Sequence, residues 1–166
     1  MDFLHDWAEW AWARHHNVLS WYVRPLFLIP FCYFAYRRSG IGIAVTLLAL
    51  ATSMFWFPAP EVVSPAVRAA LEAEREYLLG EWNLWKLAVA LLVPFLFTAL
   101  ALAFWHRSLR WGVGVVNAMV LIKILWTGVF FERAAFFAHL LPALMGLALC
   151  NLFFIWRMRQ HRRAQG

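Results

Sequence analysis

The sequence has few charged residues for its length, and this scarcity limits the class of protein. Of 166 residues, 14% are charged, whereas 64% are hydrophobic and 18% are aromatic. Soluble domains average about 25% charged residues, so this composition excludes an ordinary soluble domain. The formal net charge of +6 does not indicate nucleic-acid binding, because the surplus bases lie in short turns and a tail between apolar stretches. We expect weak attraction to anionic lipid at most.

Motifs for catalysis, cofactors and disulfides are also missing. The sequence contains no HExxH, no Gly-x-Ser-x-Gly and no phosphate-binding loop, which argues against an enzyme without deciding the question. The cysteines, Cys32 and Cys150, both fall inside apolar stretches and predict free thiols and no disulfide framework. There is no internal repeat to support an inverted-repeat transporter. We predict no cofactor and no bound metal.

Five apolar stretches account for most of the chain. A helix needs about 20 predominantly apolar residues to cross about 30 Å of hydrocarbon. The predicted spans cover residues 18–36, 41–57, 84–105, 111–131 and 134–156. Together they predict an all-α, polytopic integral membrane helix bundle of five transmembrane helices, with residues 1–166 forming one membrane-embedded domain. Within the first span, Pro25 and Pro30 predict a kink or a partly unwound segment.

Bases and acids segregate between the two sets of regions that flank these spans. One set carries eight bases and no acid: Arg37, Arg38, Arg107, Arg110, Arg157, Arg159, Arg162 and Arg163. The other set carries all nine acids: Asp2, Asp6, Glu9, Glu61, Glu72, Glu74, Glu76, Glu81 and Glu132. Cytoplasmic loops are enriched in Lys and Arg, so we predict an outer N-terminus and a cytoplasmic C-terminus. A multi-pass protein of the bacterial cytoplasmic (inner) membrane is expected.

Two further helices are predicted outside the spans. Residues 1–17 carry aromatic side chains near helical spacing and predict an amphipathic helix at the outer membrane surface. Residues 64–79 predict a short outer helix, because Ser64 and Pro65 form a typical helix start and Gly80 suits its end. Its charges, Arg68, Glu72, Arg75 and Glu76, occur at spacings of three and four. That spacing predicts ion pairs along a solvated face, and therefore scaffold and not a site.

Lys123 is the most costly residue in the predicted spans. It lies eight residues from Phe131 and eleven from Gly112, near the middle of the membrane at about 1.5 Å per residue. A charged lysine at that depth costs roughly 3 kcal/mol on insertion scales. We therefore expect Lys123 to face the bundle interior, a wet cavity or a partner. One helix face unites it with Gly112, Val116, Met119, Thr127 and Phe130.

Four basic residues from four different spans are predicted to converge in the outer half of the bundle. They are Arg24, Lys86, Lys123 and His139, and the polar residues Asn17, Ser20, Asn83 and Thr127 lie beside them. His139 shares a face with Ala135, Ala143, Gly146 and Cys150. If this small-residue face meets the Lys123 face, which contains Gly112, Lys123 and His139 approach each other. The competing interpretation is structural: Arg24 and Lys86 snorkel to the membrane surface, and His139 is a hydrogen-bonded packing residue.

Clustered bases in a low dielectric need an anion or must lose charge. The sequence therefore predicts a non-enzymatic membrane protein that binds a small anionic or lipid-headgroup ligand in an outward-facing cavity, with transport as an extension. Two alternatives stay open: an accessory subunit whose Lys123 pairs with a membrane protein partner or a second copy, and an enzyme acting on a lipid-linked substrate. A metal at His15 and His16 is disfavoured, because adjacent histidines point about 100° apart on a helix.

Overall fold

The computed structural model describes residues 2–130 and 133–163, and these ranges are helical with no strand. The all-α prediction is confirmed for this part of the chain. In chain order, the helices are α1 (Asp2–His15), α2 (Val18–Val23), α3 (Leu28–Tyr36), α4 (Gly40–Thr52), α5 (Pro65–Leu79), α6 (Leu84–Trp105), α7 (Leu109–Phe130) and α8 (Arg133–Arg163). Two 3-10 segments, Arg24–Phe27 and Ser53–Phe55, join α2 to α3 and extend α4.

Three helical segments are long and apolar enough to cross a membrane: Val18–Tyr36, Leu84–Trp105 and Leu109–Val129. Two of the predicted spans correspond to shorter apolar segments, Gly40–Phe55 and Leu140–Trp156. The chain is therefore a helical membrane protein with at least three segments of spanning length.

Proline interrupts the α-helix within the first of these segments. Arg24–Phe27 forms a 3-10 segment with Pro25 near its start, because the ring of proline removes a backbone donor and crowds the preceding turn. Pro30 is accommodated in the first turn of α3, where its missing N–H has no partner to lose. The helix is therefore interrupted at Pro25 by a tighter 3-10 turn, whereas Pro30 lies within α3.

Side-chain caps define several helix starts. Ser64 Oγ accepts from the backbone N–H of Val67 at 3.3 Å, and Ser39 Oγ accepts from that of Gly42 at 3.1 Å. The end of α5 differs from the expected glycine cap. Gly80 adopts an extended conformation, with φ −66° and ψ 168°, so the left-handed turn of the usual glycine cap is absent. Its N–H still donates to the Glu76 carbonyl at 2.9 Å.

The main core lies where α3, α6, α7 and α8 meet. Its buried members are Phe31, Cys32, Ala35, Leu100, Phe104, Val116, Cys150 and Phe154. Both cysteines are free thiols packed in this core, as the sequence predicted. A smaller cluster of Trp21, Val67, Ala70 and Leu71 packs α5 against α2, and α5 also packs against α8. This second cluster brings the charged helix α5 close to the start of the first apolar segment.

Gly112 of α7 and Gly146 of α8 do not face each other. A Cβ on Gly146 would collide with Pro25, and Cys150 Sγ lies 3.9 Å from the Pro25 carbonyl oxygen. Gly112 instead faces the ring of Phe104 on α6. The two glycines therefore contact other elements, whereas Thr127 and Ala143 of the same two faces line one cleft between α7 and α8. Small residues permit close approach, but they do not specify the partner, and the 3-10 segment occupies the face of α8.

The prediction that the α5 charges pair along the helix is also corrected. Arg75 Nη2 lies 3.2 Å from Glu9 Oε1 on α1, and its guanidinium stands over the Trp12 ring at 5.8 Å. Because α1 packs alongside α5, a cross-helix carboxylate and an aromatic face are both within reach of Arg75. This charge helps to join the two helices.

Candidate functional site

Arg24 is the starting point of the site, because the 3-10 segment places it beside α1. Its Nη2 lies 3.1 Å from His15 Nδ1, and the residue is partly buried. A guanidinium has donors only, so Nδ1 must be the acceptor in this contact. The remaining proton of a neutral His15 ring therefore lies on Nε2.

His15 connects Arg24 to a carboxylate on α5. Its Nε2 lies 3.4 Å from Glu74 Oε2, and the His15 side chain is 4% exposed whereas that of Glu74 is 37% exposed. The backbone of His15 is held by Trp21, whose Nε1 donates to the His15 carbonyl at 3.1 Å. The three groups thus form a chain from guanidinium to imidazole to carboxylate.

Lys123 joins the same group through longer-range interactions. Arg24 and Glu74 lie within electrostatic range of Lys123, and Glu74 lies within that range of Arg24. The residue is exposed on the flank of α7, yet it also lines a cleft between α7 and α8 together with Thr127 and Ala143. That cleft is too narrow to admit water. We call His15, Arg24, Glu74 and Lys123 the charge cluster.

The charge cluster carries a positive surplus. With His15 neutral, Arg24 and Lys123 supply two positive charges, and Glu74 supplies the one carboxylate among the four residues. The cluster draws on α1, the first 3-10 segment, α5 and α7. Of the residues predicted to converge, Arg24 and Lys123 lie within electrostatic range of each other.

Lys86 makes its contacts in a different place. It is 6% exposed, and its Nζ donates to the Gly80 carbonyl at 2.8 Å. The ammonium lies 4.7 Å from the Tyr77 ring centroid and 5.0 Å from that of Trp82. The lysine thus satisfies a carbonyl at the end of α5 inside an aromatic cage, and it does not snorkel to a surface. Its position supports a structural role.

The four predicted polar neighbours all form local hydrogen bonds. Asn17 Oδ1 accepts from the Leu19 N–H, and its Nδ2 donates to the Pro58 carbonyl. Ser20 Oγ donates to the Asn17 carbonyl at 2.8 Å. The bonds to Leu19 and from Ser20 stabilise the start of α2, and the bond to Pro58 joins it to the loop after α4.

Asn83 and Thr127 are engaged in the same way. Asn83 Oδ1 caps α6 by accepting from the Lys86 N–H at 2.9 Å. Thr127 Oγ1, which is buried, donates to the Lys123 carbonyl at 2.7 Å. Of these two, Thr127 belongs to the lining of the cleft beside Lys123.

His139 lies in α8, and its side chain falls outside the described residues, as does Glu132. His16 does not face His15: its Nδ1 lies 2.8 Å from the Trp12 carbonyl oxygen. Over the described part of the chain, no three His, Cys, Asp or Glu side chains group as metal ligands.

A water-accessible groove lies outside the charge cluster. It measures about 320 Å³ and runs between α1 and α5. Its lining residues are Trp12, His16, Val63, Arg68, Glu72 and Arg75. The sequence predicted a cavity beside Lys123, but the cleft there admits no water. The water-accessible groove lies instead against α5, which the sequence analysis interpreted as scaffold.

Sequence reasoning missed Glu74 as a site residue, although a signal for it exists. Val67, Ala70 and Leu71 form the buried side of α5, and Glu74 continues that side at the next turn. An acid in line with an apolar stripe is unusual on a solvated helix. That position distinguishes Glu74 from Glu72 and Glu76.

An amide pair between α7 and α8 was missed as well. Asn117 Nδ2 donates to Asn151 Oδ1 at 3.0 Å, and Asn151 Nδ2 donates to Asn117 Oδ1 at 3.2 Å. Each amide also donates to a carbonyl of its own helix. A lone asparagine inside each of two apolar stretches was the available signal.

No protein-family model matches the chain, and no significant similarity to a characterised protein or to a solved structure is found.

Proposed function

We propose that the protein binds an anionic, phosphate-bearing group at the charge cluster, either as a lipid headgroup or as a free small anion. The observation that carries the proposal is the chain of contacts from Arg24 through His15 to Glu74, with Lys123 within electrostatic range of Arg24 and Glu74. Two cations that share one carboxylate in a poorly solvated site repel each other. An anion between them removes this repulsion and supplies acceptors for their N–H groups.

The exposed flank of Lys123 supports access from the bilayer. The lysine stands on the outside of the α7–α8 pair, next to a cleft that admits no water. A ligand that approaches sideways through the lipid can reach this lysine without a preformed aqueous cavity. Arg24 offers a planar, forked donor that suits phosphate oxygens.

The proposal includes a topology of five spans, with the N-terminus outside. It is supported by the acid-free basic flanks and by the five apolar segments, of which three reach spanning length. With this orientation, the charge cluster lies in the outer half of the membrane.

Cysteine labelling tests the topology. In a chain without Cys32 and Cys150, we expect Gly40→Cys to resist an impermeant thiol reagent in intact cells and Glu61→Cys to react. Both positions are exposed, and a side chain at Gly40 meets no atom within 4 Å. Reaction at Gly40 with protection at Glu61 would invert the orientation.

Binding is tested on the full-length protein in nanodiscs. In one arm, phosphatidylglycerol is added to phosphatidylcholine discs; in the other, inorganic phosphate is added to discs of phosphatidylcholine alone. Retained ligand is measured by native mass spectrometry. Saturable retention in the first arm alone indicates a lipid headgroup, and retention in the second indicates a free anion.

Lys123→Met is the decisive variant, because it keeps the side-chain length and removes the charge. Losing one charge-assisted hydrogen bond should weaken binding about tenfold or more. Stability should change by less than about 1 kcal/mol, since the desolvation cost disappears with the charge and Glu74 retains His15. Arg110→Met, which removes an exposed base at the start of α7, is the matched control and should bind as the wild type does. Equal affinity in the two variants would refute the site.

A further inference from the structure

The two ring nitrogens of His15 each contact a different charged partner. Arg24 Nη2 is 3.1 Å from Nδ1, and Glu74 Oε2 is 3.4 Å from Nε2. Because Arg24 can only donate and a carboxylate only accepts, the arrangement fits a neutral ring with its proton on Nε2. A proton added at Nδ1 would face a donor.

We propose that anion binding to the charge cluster is coupled to the uptake of one proton by Nδ1 of His15. When Nδ1 takes a proton from solvent, it changes from acceptor to donor and loses its hydrogen bond with Arg24. The released N–H of Arg24 is then available to the anion, and the cluster has gained one positive charge. The proposal rests on the anion site described above and adds its regulation.

The charges around His15 determine the direction of this coupling. The described groups that face it are the rings of Trp12 and Trp21, the Arg24 guanidinium and the Glu74 carboxylate. Lys123 lies within electrostatic range of Arg24 and Glu74. The 3-10 segment Ser53–Phe55, which packs against α1, brings no titratable group. Glu74 favours the imidazolium, whereas the two cations oppose it.

A bound anion shifts this balance towards the protonated ring. It offsets the positive charge of Arg24 and Lys123, so the imidazolium is opposed less when the site is occupied. Since coupling between two ligands is reciprocal, a protonated His15 must in turn strengthen anion binding. Histidine is the side chain that ordinarily changes charge between about pH 5 and about pH 8, so the coupling is tested across that range.

The experiment measures retention of phosphatidylglycerol by the full-length protein in phosphatidylcholine nanodiscs at about pH 5.5 and at about pH 8. We expect the wild type to bind about tenfold more tightly at the lower pH, equivalent to ~1.4 kcal/mol of coupling. In parallel, binding of inorganic phosphate is measured with the protein in discs of phosphatidylcholine alone. Its affinity is corrected for the change in protonation of phosphate itself between the two pH values. In His15→Gln, the glutamine amide supplies a donor and an acceptor but does not titrate. This variant should therefore lose the pH dependence.

His16→Gln is the matched control, since this neighbouring ring contacts the Trp12 carbonyl and not Arg24. It should keep the full pH dependence. If His15→Gln keeps the pH dependence as well, the coupling to His15 is refuted while the anion site stands. If no anion binds at either pH, the anion site and its coupling both fail.

A spectroscopic readout tests the coupling independently of affinity. In protein labelled with ¹⁵N-histidine, the His15 resonances should show the Nε2–H tautomer at about pH 8 and an imidazolium at about pH 5.5 when anionic lipid is present. A ring with its proton on Nδ1 at the higher pH would contradict the Arg24 contact and overturn the proposal.

Discussion

The reciprocal amide pair between α7 and α8 allows a quantitative test of how the two helices are held together. Asn117 and Asn151 exchange two interhelical hydrogen bonds of 3.0 and 3.2 Å. Interhelical bonds in membranes contribute about 0.6 kcal/mol on average and about 1.7 kcal/mol at most. The pair should therefore stabilise the α7–α8 contact by about 1–3 kcal/mol.

Replacing one asparagine by leucine, which has a similar size, leaves an N–H and an oxygen of the other amide without their interhelical partner. The remaining amide still donates to its own helix, from Asn151 to the Leu147 carbonyl or from Asn117 to the Val113 carbonyl. Each single variant should therefore lose about 1–2 kcal/mol. The double variant strands no polar group, and replacing both partners by apolar ones is often nearly neutral. Its loss should be smaller than the sum of the two single losses by at least about 1 kcal/mol.

The assay is unfolding in mixed micelles with increasing sodium dodecyl sulfate, followed by tryptophan fluorescence. Thr98→Val is the control, because Thr98 Oγ1 donates to the Pro94 carbonyl of its own helix and the residue is exposed. It should change the free energy of unfolding by less than about 0.5 kcal/mol. Strict additivity of Asn117→Leu and Asn151→Leu would show that the two amides do not stabilise each other, and it would refute the reasoning.

Two other contacts are open to the same assay. Gly146→Ala places a methyl group against Pro25 and should lower the free energy of unfolding by about 1–3 kcal/mol. Gly114→Ala is the control and should be neutral or stabilising, because a Cβ there meets nothing within 4 Å. Equal effects of the two variants would contradict the close packing of α8 on the first 3-10 segment. Lys86→Met removes a charged donor from the Gly80 carbonyl and its ring contacts, and it should cost about 2 kcal/mol. An unchanged Lys86→Met variant would mean that this lysine does not stabilise the end of α5.

Helix boundaries were the part of the fold most accessible from the sequence. α6 begins and ends at the predicted residues Leu84 and Trp105, and α5 begins at Pro65 after the Ser64 cap. These features depend on interactions within a few residues: a capping hydroxyl, a proline without an N–H, and a run of apolar side chains. Local causes of this kind are visible in the order of residues alone.

Partners across helices were not accessible in the same way. The sequence drew attention to Arg24 and Lys123 as costly charges in apolar stretches, but it assigned Lys86 to the same place. Lys86 instead contacts a carbonyl that becomes available because Gly80 adopts an extended conformation. That conformation depends on how the loop joins α5 to α6, which no spacing rule describes.

By itself, the sequence determined the class of protein, the positions of its helices and the residues whose burial needs a compensating interaction. Composition, capping and hydrophobic runs act locally or through the bilayer, so they are independent of which helix packs against which. Only the tertiary structure decided that Glu74 and His15 complete the group around Arg24, and that Gly146 packs against Pro25. Those contacts join residues far apart in the chain, and they depend on the rotation and depth at which each helix packs in the bundle.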